Sequence, residues 1–129
     1  HKYIILQRQD SEPFSWLQSI EDPNLAFVIT NPAFFFPNYK IEMHMKELDD
    51  IKVNERSNVE TYVIATIPKD ISQMSANLQG PILINTDRSL GKQTVFVNGP
   101  YTIQHFIMDE LEKRAGKKKK KKDSIAVQI

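Results

Sequence analysis

Short stretches in which apolar and polar residues alternate recur along the chain, the period-2 pattern that sends successive side chains of an extended strand to opposite faces. In Lys2–Gln7, Ser15–Ile20, Ala26–Asn31, Tyr39–Met43, Val59–Ile67, Pro81–Thr86 and Gln93–Val97 these stretches are rich in β-branched and aromatic residues, and each is predicted to be a strand. Turn-forming residues separate them: Asp22-Pro23-Asn24, Asn31-Pro32, Pro37-Asn38, the run from Asn54 to Asn58, and Pro68-Lys69-Asp70. In the first of these, the Asp22 carboxylate can accept from the backbone two residues on, and Pro23 presets φ at about −65°. Strands at roughly ten-residue spacing indicate an antiparallel barrel or sandwich rather than crossover units.

Two stretches follow a helical period instead. Met45–Ile51 predicts a short helix. Thr102–Arg114 places Ile103, Phe106, Ile107 and Leu111 on one face, and Gly116 supplies a stop. The expected architecture is mostly β: a small antiparallel β-barrel-like single domain over residues 1–114, with a short helix and a C-terminal helix. A lysine-rich tail, 115–129, is expected to be disordered.

Composition narrows the function. A chain of 129 residues suits one domain. It has no cysteine, which removes disulfides, thiolate metal sites and thiol nucleophiles, and which suits a reducing cytoplasm. No apolar run approaches the roughly 20 residues that span a bilayer, and no secretory signal pattern opens the chain. The net charge of +1 hides a division. Residues 1–112 carry 9 Lys/Arg and 15 Asp/Glu, whereas residues 113–129 carry 8 Lys/Arg and one Asp. An acidic body is a poor nucleic-acid binder and a fitting partner for a basic protein. The six lysines Lys117 to Lys122 offer a second function class, attachment to RNA or another anionic surface through the tail.

Enzyme signatures are weak. The sequence Gly91-Lys92-Gln93-Thr94 resembles part of a phosphate-binding loop. Such a loop needs an earlier glycine where Thr86 stands, a hydroxyl where Gln93 stands, and a following helix where an alternating, strand-like run follows. It is better explained as part of a hairpin, with Gly91 free to take a positive φ near the connection. His44, beside Glu42 and Glu47, lacks metal-ligand spacing and is expected at the surface, and His105 is expected to be structural. A hydrolase or isomerase built on His44 would require a pocket around it. The serines lack a nucleophile-elbow context, and Asp49-Asp50 fits a solvated acidic step. No cofactor or metal is expected. In Phe34-Phe35-Phe36, strand alternation would bury one side and leave the other as a possible aromatic anchor for a partner, while Trp16 is expected in the core.

Three stretches taken together carry a family resemblance. They are Pro13-Phe-Ser-Trp-Leu-Gln-Ser-Ile-Glu-Asp-Pro-Asn-Leu-Ala-Phe-Val-Ile-Thr-Asn-Pro32, Ile67-Pro-Lys-Asp-Ile-Ser-Gln-Met-Ser-Ala-Asn-Leu-Gln-Gly-Pro-Ile-Leu-Ile-Asn85, and Gly91-Lys-Gln93. In order and spacing they resemble the bacterial flagellar assembly factor FliW family, from about residue 3 to residue 106. The resemblance implies a cytoplasmic, non-catalytic β protein with two protein partners. One is flagellin. The other is CsrA, a small basic RNA-binding regulator that represses flagellin translation. Export of flagellin would release the protein to antagonise CsrA, so that regulation proceeds by partner exchange. The family blocks suggest Asn31, Pro32, Phe35, Met74, Ser75, Asn77 and Asn85 as partner-binding residues. The resemblance also implies further strands ahead of the Tyr3 strand in the natural protein, and it does not account for the lysine tail.

Overall fold

The computed structural model describes residues 1–114; the tail expectation lies outside the described residues. Eight strands form one continuous antiparallel sheet: β1 (Tyr3–Gln7), β2 (Phe14–Ser19), β3 (Ala26–Thr30), β4 (Val59–Thr66), β5 (Ser75–Ala76), β6 (Ile82–Asn85), β7 (Leu90–Gln93) and β8 (His105–Phe106). The main path runs β1-β2-β3-β4-β5-β8, and β6 and β7 branch from β4. A helix, α1, occupies 107–114. The mostly β antiparallel architecture with a C-terminal helix is therefore as expected, except that among the described residues the sheet does not close: β1 pairs only with β2.

The β2–β3 hairpin reverses as its sequence dictates. The Asp22 carboxylate accepts from the Asn24 amide at 3.0 Å, and the Ser19 hydroxyl accepts from the Asp22 amide at 2.9 Å. Strand β4 then changes partners along its length. Val63–Ala65 pair with Thr30–Val28 of β3, and Ala65–Thr66 pair with Ala76–Ser75 of β5. Val59–Tyr62 pair with Asn85–Ile82 of β6. Between Ala76 and Ile82, five residues (77–81) lie beside only two of β4, Val63 and Ile64. The chain must bulge there.

Three apolar clusters hold the sheet. One face packs Val63, Met74, Ala76 and Leu78 against Phe35, Phe36 and Ile107. Further along, Leu83 packs on Leu48 and Ile51. The opposite face gathers Ile29, Tyr62 and Ile82, flanked by the partly buried Ile5, Leu17, Phe27, Ile64 and Ile84.

Several local expectations are corrected. Residues 39–43 form no strand; they connect the 3-10 turn Pro32–Phe34 to the 3-10 helix Met45–Ile51. The hairpin partner of β6 is Leu90–Gln93, not Gln93–Val97, so the Gly-Lys-Gln run lies within a strand. Among the described residues no glycine has a positive φ; Ser89, at 55°, makes the left-handed turn. Gly91 is small for another reason, since an added Cβ would sit 3.2 Å from the Leu83 carbonyl oxygen and from Ile84 Cγ1. The C-terminal helix starts at residue 107 because His105–Phe106 pair with Ala76–Ser75 instead. Trp16 is half-buried and belongs to none of the three clusters.

Lys52 closes the 3-10 helix Met45–Ile51 at φ 57°, a left-handed conformation that costs a side-chain-bearing residue about 1 kcal/mol. Replacing Lys52 with Gly should raise unfolding free energy by about 0.5–1 kcal/mol, read as a higher urea midpoint.

Candidate functional site

The segment Met74–Pro81 is a knot that braces the sheet from within. The Asn77 amide donates to the Ile64 carbonyl at 2.9 Å, keeping contact with β4 at the start of the bulge. Its side-chain oxygen turns back to accept from the Gln79 and Gly80 amides at 3.1 and 3.0 Å. Carbonyls freed by the bulge find partners at once. Tyr39 donates its hydroxyl to Leu78 O at 2.8 Å, Gln93 Nε2 donates to Gly80 O at 3.0 Å, and the Phe96 and Thr94 amides donate to Gln79 O and Pro81 O, both at 2.9 Å. Burial, with the neighbouring Tyr101 second, pushes the Tyr39 hydroxyl up to about 12, so it remains a donor across the physiological range.

Two of the family-like blocks, 67–85 and 91–93, therefore pack on each other. Met74, Ser75 and Asn85 are buried and Asn77 is half-buried. Asn85 donates to Ile51 O at 2.9 Å and Lys52 O at 3.3 Å and accepts from the Asp87 amide at 3.2 Å. Its side chain joins β6 to the end of the 3-10 helix.

On the outside, a groove of about 970 Å³ opens where the start of β2, residues 31–34, the segment after Tyr39 and the first half of β4 converge. Asn31 and Pro32 lie in its wall. The Asn31 side chain caps the 3-10 turn by accepting from the Ala33 amide at 3.0 Å, and Pro32 occupies the first turn position. This cap rotates the aromatic triplet away from strand alternation. Phe35 and Phe36 both turn into the core, and Phe34 is left 59% exposed on the groove wall. Of the three rings, Phe34 is thus the outward one. The aromatic triplet is legible from sequence as an anchor, but the ring named there for partner binding is Phe35, which is buried, and the groove residues Ile41 and Glu60 carry no such signal. The Asn-Pro pair just before the triplet was the available signal, since it marks a capped turn as well as a loop.

A shallower groove of about 490 Å³ adjoins the first, sharing Ile41, Val59 and Thr61, with the exposed Met45 and the half-buried Val53 in its lining. Lys92 ties β7 to the 3-10 helix Met45–Ile51, donating from Nζ to Glu47 O at 2.8 Å and to the Asp50 carboxylate at 2.9 Å. That bond holds the Asp50 carboxyl below its usual range. At the rim of the larger groove, Tyr62 donates to Glu60 at 2.6 Å, and burial first, then this bond, raises the Tyr62 hydroxyl to about 12. Apolar walls with charged and hydrogen-bonding groups at the rim suit an amphipathic polypeptide segment.

His44 is exposed and lines neither groove. Among the described residues no group of three or more His, Asp or Glu is placed to hold a metal, and no helix is long and apolar enough to cross a membrane.

His105, beside Tyr101 and Phe36, accepts from the Thr102 amide at 2.9 Å through Nε2, which requires the neutral ring. Burial lowers its pKa against a smaller opposing pull from Glu110. The unfolded chain then takes up this proton first as pH falls. The stabilisation is complete above the unfolded value of about 6.5 and is lost as pH drops through the lower folded value. His105→Gln should flatten the dependence of thermal midpoint on pH just below 6.5, leaving the carboxylate-driven loss near pH 4 in place.

An open, bulged antiparallel sheet with a C-terminal helix is a fold shared with flagellar assembly factors. It matches a crystal structure of the flagellar assembly factor FliW with TM-score 0.75 and 35% identity, covering 81% of this chain and 73% of that one. The FliW protein family profile matches residues 1–107, and the chain belongs to that family. The FliW of Alkaliphilus metalliredigens is 39% identical over 113 residues (87% of this chain, 70% of that protein). That of Ruminiclostridium cellulolyticum is 35% identical over 115 residues (88% and 78%).

Proposed function

We propose that this protein acts in the bacterial cytoplasm by binding flagellin and CsrA in alternation, relieving repression of flagellin synthesis when flagellin leaves. It performs no chemistry on either partner. The observation that carries this reading is FliW family membership over most of the chain. The acidic body adds support, with 15 Asp/Glu against 9 Lys/Arg in residues 1–112. Such a surface attracts a basic RNA-binding partner and repels RNA phosphates from the same neighbourhood. The groove supports the polypeptide side of the reading. Asn31 and Phe34 would meet a partner directly, with Pro32 and Phe35 setting the shape of the wall. Met74, Ser75, Asn77 and Asn85 would serve binding from beneath, by holding the sheet that carries the groove.

Calorimetric titration of the full chain with flagellin and with CsrA tests the proposal. Both should bind, each should displace the other, and raising salt should weaken the CsrA complex more than the flagellin complex, whose helical segments dock chiefly through apolar contact. Binding of neither partner would overturn the proposal, and equal salt dependence would remove its electrostatic part.

A further inference from the structure

We propose that the groove beside Phe34 is occupied by this chain's own residues 115–129, which dock back onto the body through lysines at the rim and alternating apolar residues against the walls.

Position supports it first. Arg114, the last described residue, donates from Nη1 to the Phe34 carbonyl at 2.9 Å, so α1 ends at the rim of the groove. Fifteen residues extended reach up to about 50 Å, ample to cross both adjoining grooves.

Charge supports it next. The two grooves are lined by three carboxylates, Glu12, Glu60 and Glu55, against the single guanidinium of Arg8. Arg8 itself is paired with Asp10 at 3.6 Å. The tail carries six lysines and one aspartate.

Apolar pattern comes third. After the lysines the sequence reads Asp123-Ser-Ile-Ala-Val-Gln-Ile129. Ile125, Val127 and Ile129 alternate, so an extended segment would turn all three to one side, toward walls formed by Phe34, Ile41 and Val59. Tethering makes weak contacts sufficient. A short flexible link sets an effective concentration in the millimolar range, so a segment with a dissociation constant of about 1 mM in isolation would still be docked much of the time. The same groups would have to be displaced by any partner entering the groove. The docking itself stands whether or not flagellin or CsrA binds there.

The absence of cysteine makes the test clean. In the full chain, Ser124→Cys carries a nitroxide, and amide NMR signals are recorded with the label oxidised and reduced. Signals of residues 33–34, 41 and 59–61 should lose most of their intensity, while those of the distant β2–β3 turn keep theirs. Ile125→Ser with Ile129→Ser, which leaves net charge unchanged, should restore the groove signals. So should salt at about 1 M, where screening falls to roughly 3 Å. Label on one chain and isotope on another should give no effect, as expected for docking within one molecule. Unaltered groove signals, uniform broadening, indifference to the isoleucine changes, or transfer between molecules would each overturn the proposal. So would a tail that binds single-stranded RNA while the label never affects the groove. Loss of partner binding with the label effect intact would sink the proposed function alone.

Discussion

Leu78→Ala is expected to lower unfolding free energy by about 3–4 kcal/mol, in the upper half of the usual range for a buried leucine. Leu78 is 1% exposed and packs among Phe35, Phe36, Val63, Met74 and Ile107. The cost depends on whether the surroundings can collapse into the space left behind. Here the bulge around Leu78 is tied by Asn77, Tyr39, Gln93 and the amides of Thr94 and Phe96. A backbone held at so many points relaxes little, so most of the cavity should persist. Urea unfolding followed by fluorescence of Trp16 reads the effect. The exposed Ile20 is the control, since Ile20→Ala should shift the midpoint by no more than about 0.5 kcal/mol. Equal shifts for the two variants would show that the knot is not the rigid centre described.

Asn85→Asp is expected to cost about 3 kcal/mol at neutral pH and to recover part of that on acidification. Asn85 is fully buried, and its amide nitrogen donates to the carbonyls of Ile51 and Lys52 at 2.9 and 3.3 Å. A carboxylate has nearly the same shape but no donor. It would face two carbonyl oxygens and lose its hydration, with only the Asp87 amide left to stabilise it. Burial would raise the pKa of the introduced acid. The folded state would then hold a proton that the unfolded state has released, so stability should rise as pH falls from that raised value toward about 4. The protonated form can donate to one carbonyl again. Thermal midpoints for the natural chain and the variant should converge over that interval. A constant gap would mean that lost hydrogen-bond geometry, not buried charge, dominates.

Much of the sheet was legible because half-buried antiparallel strands leave a period-2 trace. β1 to β4 and β6 fall within a residue or two of where alternation places them. The two-residue strands β5 and β8 are too short to leave a periodic trace, and three longer elements were misplaced, each for a physical reason. The segment after Tyr39 alternates like a strand but joins no ladder; Ile41 and Met43 pack against Leu48, Ile51 and Leu83, and the Lys40 amide donates to the Tyr101 hydroxyl. β7 was displaced toward the Gly-Lys-Gln run because Ser89, with no sequence signal for a left-handed residue, makes the turn. α1 starts late because pairing of His105 and Phe106 with β5 overrides helical periodicity. At the site, family-like blocks drew the eye to Met74, Asn77 and Asn85, whose strict chemistry is that of interior hydrogen bonding. The groove wall depends on which ring of an aromatic triplet a capped turn throws outward, because the turn replaces extended backbone with 3-10 geometry. Sequence alternation is silent on it.

Strand β4 faces β3 and β5 with one half and β6 with the other, and Val59 and Thr61 from it back both grooves. No fraying boundary can be drawn between the two halves of the sheet without breaking this strand. The molecule should therefore open as a single foldon, with its slowest-exchanging amides in β4, so that an occupant of either groove protects the whole sheet from proteolysis.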